Sequence, residues 1–135
     1  MKSFSSRIGE LARASGVKVV TIRYYEQVGL MPAPNRTSAN YRSYGKESWE
    51  RLRFIRRCRD LGFTIEQIRD LLRLSSEKTM PCGEVKRIAA QHEEAVAAKL
   101  QDLRLLLREL HRLSTSCEGK CVIEDCSIIE ALSTR

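Results

Sequence analysis

Residues 8–30, IGELARASGVKVVTIRYYEQVGL, read as two short helices about a tight turn. Ile8, Leu11 and Ala12 fall on one face at helical spacing, which predicts a first helix from about Arg7 to Ala14 with Ser5 or Ser6 as its N-cap. Ser15-Gly16 stops it, because glycine takes the left-handed backbone that a tight turn demands. Val17 to Val28 supplies the second helix, closed by Gly29 with Pro32 just beyond. Two short helices about a glycine turn carry a helix-turn-helix signature.

Working outward, MPAPNRTSANYRSYG at 31–45 holds Pro32, Pro34 and a run of Asn, Ser and Gly, which excludes helix. A wing is expected there: a turn over 35–40 and a short returning strand through Tyr41, Arg42 and Tyr44, basic and aromatic on its outer face. A third helix is expected from about Lys46 to Leu61, ending at Gly62. A fourth starts with Thr64 and Gln67 in a capping box and turns Ile65, Ile68, Leu71 and Leu72 inward, against Trp49, Leu52, Ile55 and Phe63. Cys58, among Arg56, Arg57 and Arg59, reads as a small structural residue.

The charge follows this layout. The chain has 135 residues and a formal net charge of +7. Residues 1–80 carry 16 Lys+Arg against 8 Asp+Glu, whereas residues 81–135 carry 8 against 9. A polyanionic partner for the first half is implied. No apolar run reaches the roughly 18 residues of a membrane span and the N-terminal stretch has no signal-peptide core, so a cytoplasmic protein with no membrane partner is expected. There thiols stay reduced, and the five cysteines read as free thiols or metal ligands rather than disulfides. No Ser/His/Asp array, phosphate loop or carboxylate pair suggests an enzyme, and no catalytic residue is assigned.

From Gly83 to about Thr115 there is no proline and no further glycine, and Val85, Ala89, His92, Val96, Leu100, Leu103, Leu107, Leu110 and Leu113 recur at three- and four-residue steps. This predicts one helix about 50 Å long. Its narrow stripe calls for a partner helix, most simply its own copy in a two-fold homodimer, with Val96, Leu100, Leu103, Leu107 and Leu110 at the seam. His92 and His111 lie on or beside the stripe and read as packing residues.

Four cysteines bracket this helix: Cys82 before it and Cys117, Cys121 and Cys126 after it. A continuous helix keeps Cys82 about 50 Å from Cys117, so the two cannot share an ion within one chain. In an antiparallel dimer the start of one helix lies beside the end of the other, which brings Cys82 of one subunit to Cys117 and Cys126 of its mate. Thiolates without a histidine favour a soft divalent ion, Hg, Pb, Cd or Zn. Cys121 is a possible additional ligand that would shift the preference from trigonal Hg or Pb toward tetrahedral Cd or Zn; otherwise it is a spectator on its loop.

The segments IGELARASGV, TIRYYEQVGL, NYRSYGKE and RLRFIRRCRDLGFTIEQIRDLL, in this order and followed by a long helix and a cysteine tail, resemble the MerR family of bacterial transcription regulators. The resemblance spans nearly the whole chain. It implies a mainly α fold: a winged helix-turn-helix DNA-binding domain (1–75), a linker and dimerisation helix in an antiparallel coiled coil (76–116), and a short metal-binding loop and helix (117–135). It assigns DNA contacts to Lys18, Thr21, Arg23, Tyr24 and Tyr25 in the second helix, with one of the two tyrosine rings open to a core role, and to Asn40, Tyr41, Arg42 and Tyr44 in the wing. It also implies a double-stranded promoter as target, RNA polymerase as partner at that promoter, and activation of a resistance or efflux operon by bending and untwisting its DNA. Family members that sense monovalent ions carry serine at the position of Cys82 and divalent sensors carry cysteine; the spacing Cys82, Cys117, Cys126 is most similar to the mercury and lead sensors, which lack Cys121. A thiol-based redox or electrophile sensor with the same DNA-binding half is the alternative, and 20 residues beyond the long helix are too few for a multidrug pocket.

Overall fold

A computed structural model describes residues 5–33, 35–36 and 42–134. The chain forms two compact units, Met1–Val85 and Lys86–Arg135. No helix among the described residues is long and apolar enough to cross a membrane.

In the first unit, α1 spans Ile8–Ser15 and α2 spans Val19–Gln27. Gly16 caps α1 with φ 72°, the left-handed turn its sequence position implied, and its N–H donates to the Ala12 carbonyl. The N-cap of α1 is Arg7, with no side-chain cap bond, and not Ser5 or Ser6. Those two serines instead form strand β1. Strand β2 is Asn35–Arg36 and β3 is Arg42–Gly45, and all pair antiparallel in the order β1-β3-β2. The register sets Asn35 opposite Ser43 and Arg36 opposite Arg42 on one side of β3, and Ser5 opposite Gly45 and Ser6 opposite Tyr44 on the other. The wing is thus a hairpin whose second strand is also tied to the chain start.

Helices α3 (Lys46–Asp60) and α4 (Ile65–Ser75) follow. At the start of α4, Thr64 Oγ1 accepts from the Gln67 N–H at 3.1 Å while the Thr64 N–H donates to Gln67 Oε1 at 2.9 Å, the expected capping box. The core gathers Leu11, Ile22, Leu30, Met31, Leu52, Ile55 and Ile68, all nearly inaccessible. Trp49 is half-buried and holds the Arg53 guanidinium 4.7 Å from its ring centre. Cys58 is buried, and burial pushes its thiol up, as suits a structural residue.

Three arginines of α3 and α4 donate to carbonyls at and just beyond the ends of the first two helices. Arg56 donates to Ser15 O at 2.5 Å, Arg69 to Val28 O at 2.5 Å and Arg51 to Leu30 O at 2.6 Å. The last carbonyls of a helix have no partner within it and carry the negative end of its dipole, so a guanidinium there satisfies both needs. Part of the positive charge in this half is therefore spent on the fold.

α5 runs without interruption over Gly83–Thr115, nearly all of it in the second unit, and a 3-10 turn at Ile123–Asp125 leads to α6, Ser127–Ser133. Ile88 is buried, but Val96, Leu100, Leu103, Leu106, Leu107 and Leu110 are each about half exposed or more. Leu106 is exposed as well, at i+3 from Leu103.

At Gly16 a side-chain methyl would strike the Arg56 guanidinium as well as force a left-handed L-residue. Gly16→Ala should therefore lower the stability of the first unit by about 1–2 kcal/mol or more in urea unfolding. An unchanged midpoint would show that neither the turn nor the arginine bond constrains this position.

Candidate nucleic-acid interface and metal centre

On α2, Ile22 and Tyr25 face the core while Val20, Arg23, Tyr24 and Gln27 form an exposed face at i, i+3, i+4 and i+7. Lys18, the N-cap residue, is exposed and Thr21 is partly so. Arg and Lys here can neutralise phosphates, and the Tyr24 hydroxyl can donate to one. The two tyrosine rings divide as consecutive helical positions must: Tyr24 is 46% exposed and Tyr25 only 6%. Burial pushes the Tyr25 hydroxyl up in pKa, an effect that nearby Arg59 opposes. Tyr25 is thus a core residue, and its candidacy as a DNA contact is withdrawn. Val20, which sequence reading passed over, is 76% exposed on a basic face and offers a methyl surface of the kind that reads thymine. Its signal was its place at the i position of that four-residue face.

In the wing, Tyr44 departs from expectation. Its ring is 1% exposed, and its hydroxyl donates to Glu26 Oε1 at 2.6 Å, joining β3 to α2. The side chain faces inward, so the outer-face role assigned to it is corrected to a structural one. The backbone of Arg42 lies in β3 opposite Arg36. Asn40 and Tyr41 lie outside the described residues.

The thiols of the second unit are brought together. Cys117 Sγ lies 3.6 Å from Cys121 Sγ and 4.0 Å from Cys126 Sγ, and all three sulfurs fall within 4.8 Å of one another. Two local devices produce this cluster. Gly119, at φ 81°, reverses the chain between Cys117 and Cys121 and donates its N–H to Cys117 Sγ at 3.3 Å. Ser127 Oγ, at the start of α6, donates to Ser116 O at 2.8 Å, fastening Cys126 beside the end of α5.

Around a zinc-like ion with metal–sulfur bonds of about 2.3 Å, tetrahedral ligand sulfurs stand about 3.8 Å apart. The observed separations bracket that edge, so the donor set fits a soft ion. Backbone N–H groups of Ile129 and Ile128 draw the Cys126 thiol below its ordinary pKa, favouring the ligating thiolate. The hydrogen bond shared with Cys117, followed by desolvation and then the neighbouring thiols, pushes Cys121 up. The cluster holds no histidine; His92 is half-buried and His111 exposed along α5. Cys82 is exposed and directly precedes α5, at the end opposite the cluster.

Comparison with known proteins matches residues 6–75 to the MerR HTH family regulatory protein model and residues 49–113 to a second model described as MerR, DNA binding. The chain is 41% identical to the HTH-type transcriptional regulator HmrR of Sinorhizobium medicae over 93% of its own length and 85% of that protein. It is 40% identical to the mercuric resistance operon regulatory protein of Bacillus cereus over 93% of this chain and 96% of the relative. Among solved structures, the transcription regulator PbrR691 from Ralstonia metallidurans in complex with lead(II) superimposes with a TM-score of 0.82 at 40% identity, covering 94% of this chain and 98% of that one.

Tyr44→Phe separates the two roles of that ring. Loss of a short bond to a carboxylate should cost about 1.5–3 kcal/mol of stability, while DNA affinity of the folded protein, measured by fluorescence anisotropy, stays close to wild type. Unchanged stability with weakened DNA binding would return Tyr44 to the DNA face.

Proposed function

The chain belongs to the MerR family of helix-turn-helix transcription regulators, and from that premise we propose that it senses a soft divalent metal ion, of the Hg, Pb, Cd and Zn class, and activates a resistance or efflux promoter. The observation that carries the reading is the cluster of Cys117, Cys121 and Cys126 thiols at the end of a continuous 33-residue helix. Its support is the softness of sulfur ligands, together with relatives named for mercury and crystallised with lead.

In this reading Lys18, Thr21, Arg23 and Tyr24, with Val20 beside them, face promoter DNA from α2, and Asn40, Tyr41 and Arg42 hold the phosphate backbone from the wing. Two chains pair through α5 in antiparallel fashion, burying Val96, Leu100, Leu103, Leu107 and Leu110. Cys82 then meets Cys117 and Cys126 of the other subunit, and two ions bind per dimer. Bound at the helix ends, an ion supplies charge neutralisation for the clustered thiolates and a bond across the subunits. It shifts the dimer only so far as one arrangement of the two DNA-binding units holds it better than the other. That arrangement distorts the promoter so that RNA polymerase engages both of its elements.

In vitro transcription from the promoter beside this gene tests the reading. The wild-type dimer should raise transcript on addition of a thiophilic divalent ion, and Cys82→Ser and Cys117→Ser should each remove most of the response while leaving DNA binding intact. Induction by peroxide, with indifference to metal, would overturn it in favour of a redox sensor.

A further inference from the structure

The family pattern used above takes two thiols from one chain, Cys117 and Cys126, and the third from its mate. This chain offers a third of its own. Cys121 is exposed, yet its sulfur lies nearer to Cys117 than that of Cys126 does, 3.6 Å against 4.0 Å. Its place is built: Gly119 takes the left-handed conformation that turns the loop back, and the Gly119 N–H and the Cys121 thiol converge on the same Cys117 sulfur. At the other edge the Ser127–Ser116 bonds hold Cys126 in reach. A spectator on a loop has no reason to stand 3.6 Å from the Cys117 sulfur and within 4.8 Å of the Cys126 sulfur.

We propose that Cys121 is a metal ligand, so that each chain carries a complete three-thiolate site, Cys117, Cys121 and Cys126, able to load a thiophilic divalent ion without Cys82. The inference rests on the metal-sensing reading and deepens it. Binding and response then become separable: three sulfurs of one chain capture the ion, and Cys82 of the other chain couples the captured ion to the dimer. As each thiol ligates it gives up its proton to solvent, so three protons leave per ion captured from fully protonated thiols. With Cys82 added, the sulfur count reaches four, which favours ions that accept tetrahedral coordination, Cd(II) and Zn(II), over Hg(II), which is content with fewer.

The test is a Cd(II) titration of the full-length reduced protein, followed by the ultraviolet thiolate-to-metal absorption and by 113Cd NMR, whose intensity and shift report how many sulfurs bind. Wild type should show one more sulfur than Cys121→Ser and one more than Cys82→Ser. Cys82→Ser should still take up one Cd(II) per chain, through three sulfurs. Cys121→Ser should lose Cd(II) affinity by at least about tenfold while keeping its Hg(II) affinity closer to wild type. An unchanged sulfur count and affinity in Cys121→Ser would overturn the proposal, as would loss of all Cd(II) uptake in Cys82→Ser. Failure of the wild-type protein to bind any thiophilic ion would sink the sensing reading as well. Cys121 is exposed, so its serine variant should fold, and the helical circular dichroism of each variant checks this.

Discussion

A single helix governs the second half of this protein. α5 is 33 residues without a break, so it spans about 50 Å and fixes how far apart its two ends lie. It also turns a stripe of valine and leucine to solvent, from Val96 to Leu110. Covering such a side chain contributes about 1.5–3 kcal/mol, and a stripe this long invites a helix of matching pattern. The two consequences meet in the proposed dimer. The length that keeps Cys82 from Cys117 within one chain is the length that brings them together when two copies run antiparallel.

The DNA-binding unit is organised by a different economy of charge. Its arginines do two kinds of work that composition cannot separate. Arg51, Arg56 and Arg69 close the carbonyl ends of α1 and α2 and the turn after them, whereas Arg23 and Lys18 stand exposed on α2. Tyr44 and Glu26 add a tie from the wing, since their hydrogen bond joins β3 to α2.

Much of this was legible in the sequence because it depends on local rules. The bounds of α5 follow from the absence of Pro and Gly and from helical periodicity, the α4 start from the Thr64–Gln67 pair, and the stop of α1 from Gly16. What escaped depends on contacts between distant segments. Ser5–Ser6 is a strand only because β3 offers an edge, and two serines carry no strand signal of their own. In a strand the side chains alternate, but alternation does not say which set faces in; Glu26 decides that for Tyr44. For Cys121 the sequence held a hint, a Cys117-x3-Cys121 spacing with Gly119 inside it, yet only the closed loop puts its sulfur beside those of Cys117 and Cys126.

The central claim is that the metal site is shared between subunits, and a mixed dimer tests it most directly. One subunit carries Cys82→Ser and the other carries Cys117→Ser with Cys126→Ser, so that an antiparallel pair retains one intact shared site and loses the other. Loaded with Cd(II), this heterodimer should show a bound ion with the full wild-type number of sulfurs, a species absent from both parent homodimers. A heterodimer whose spectrum is only the sum of the two homodimers would contradict the shared site.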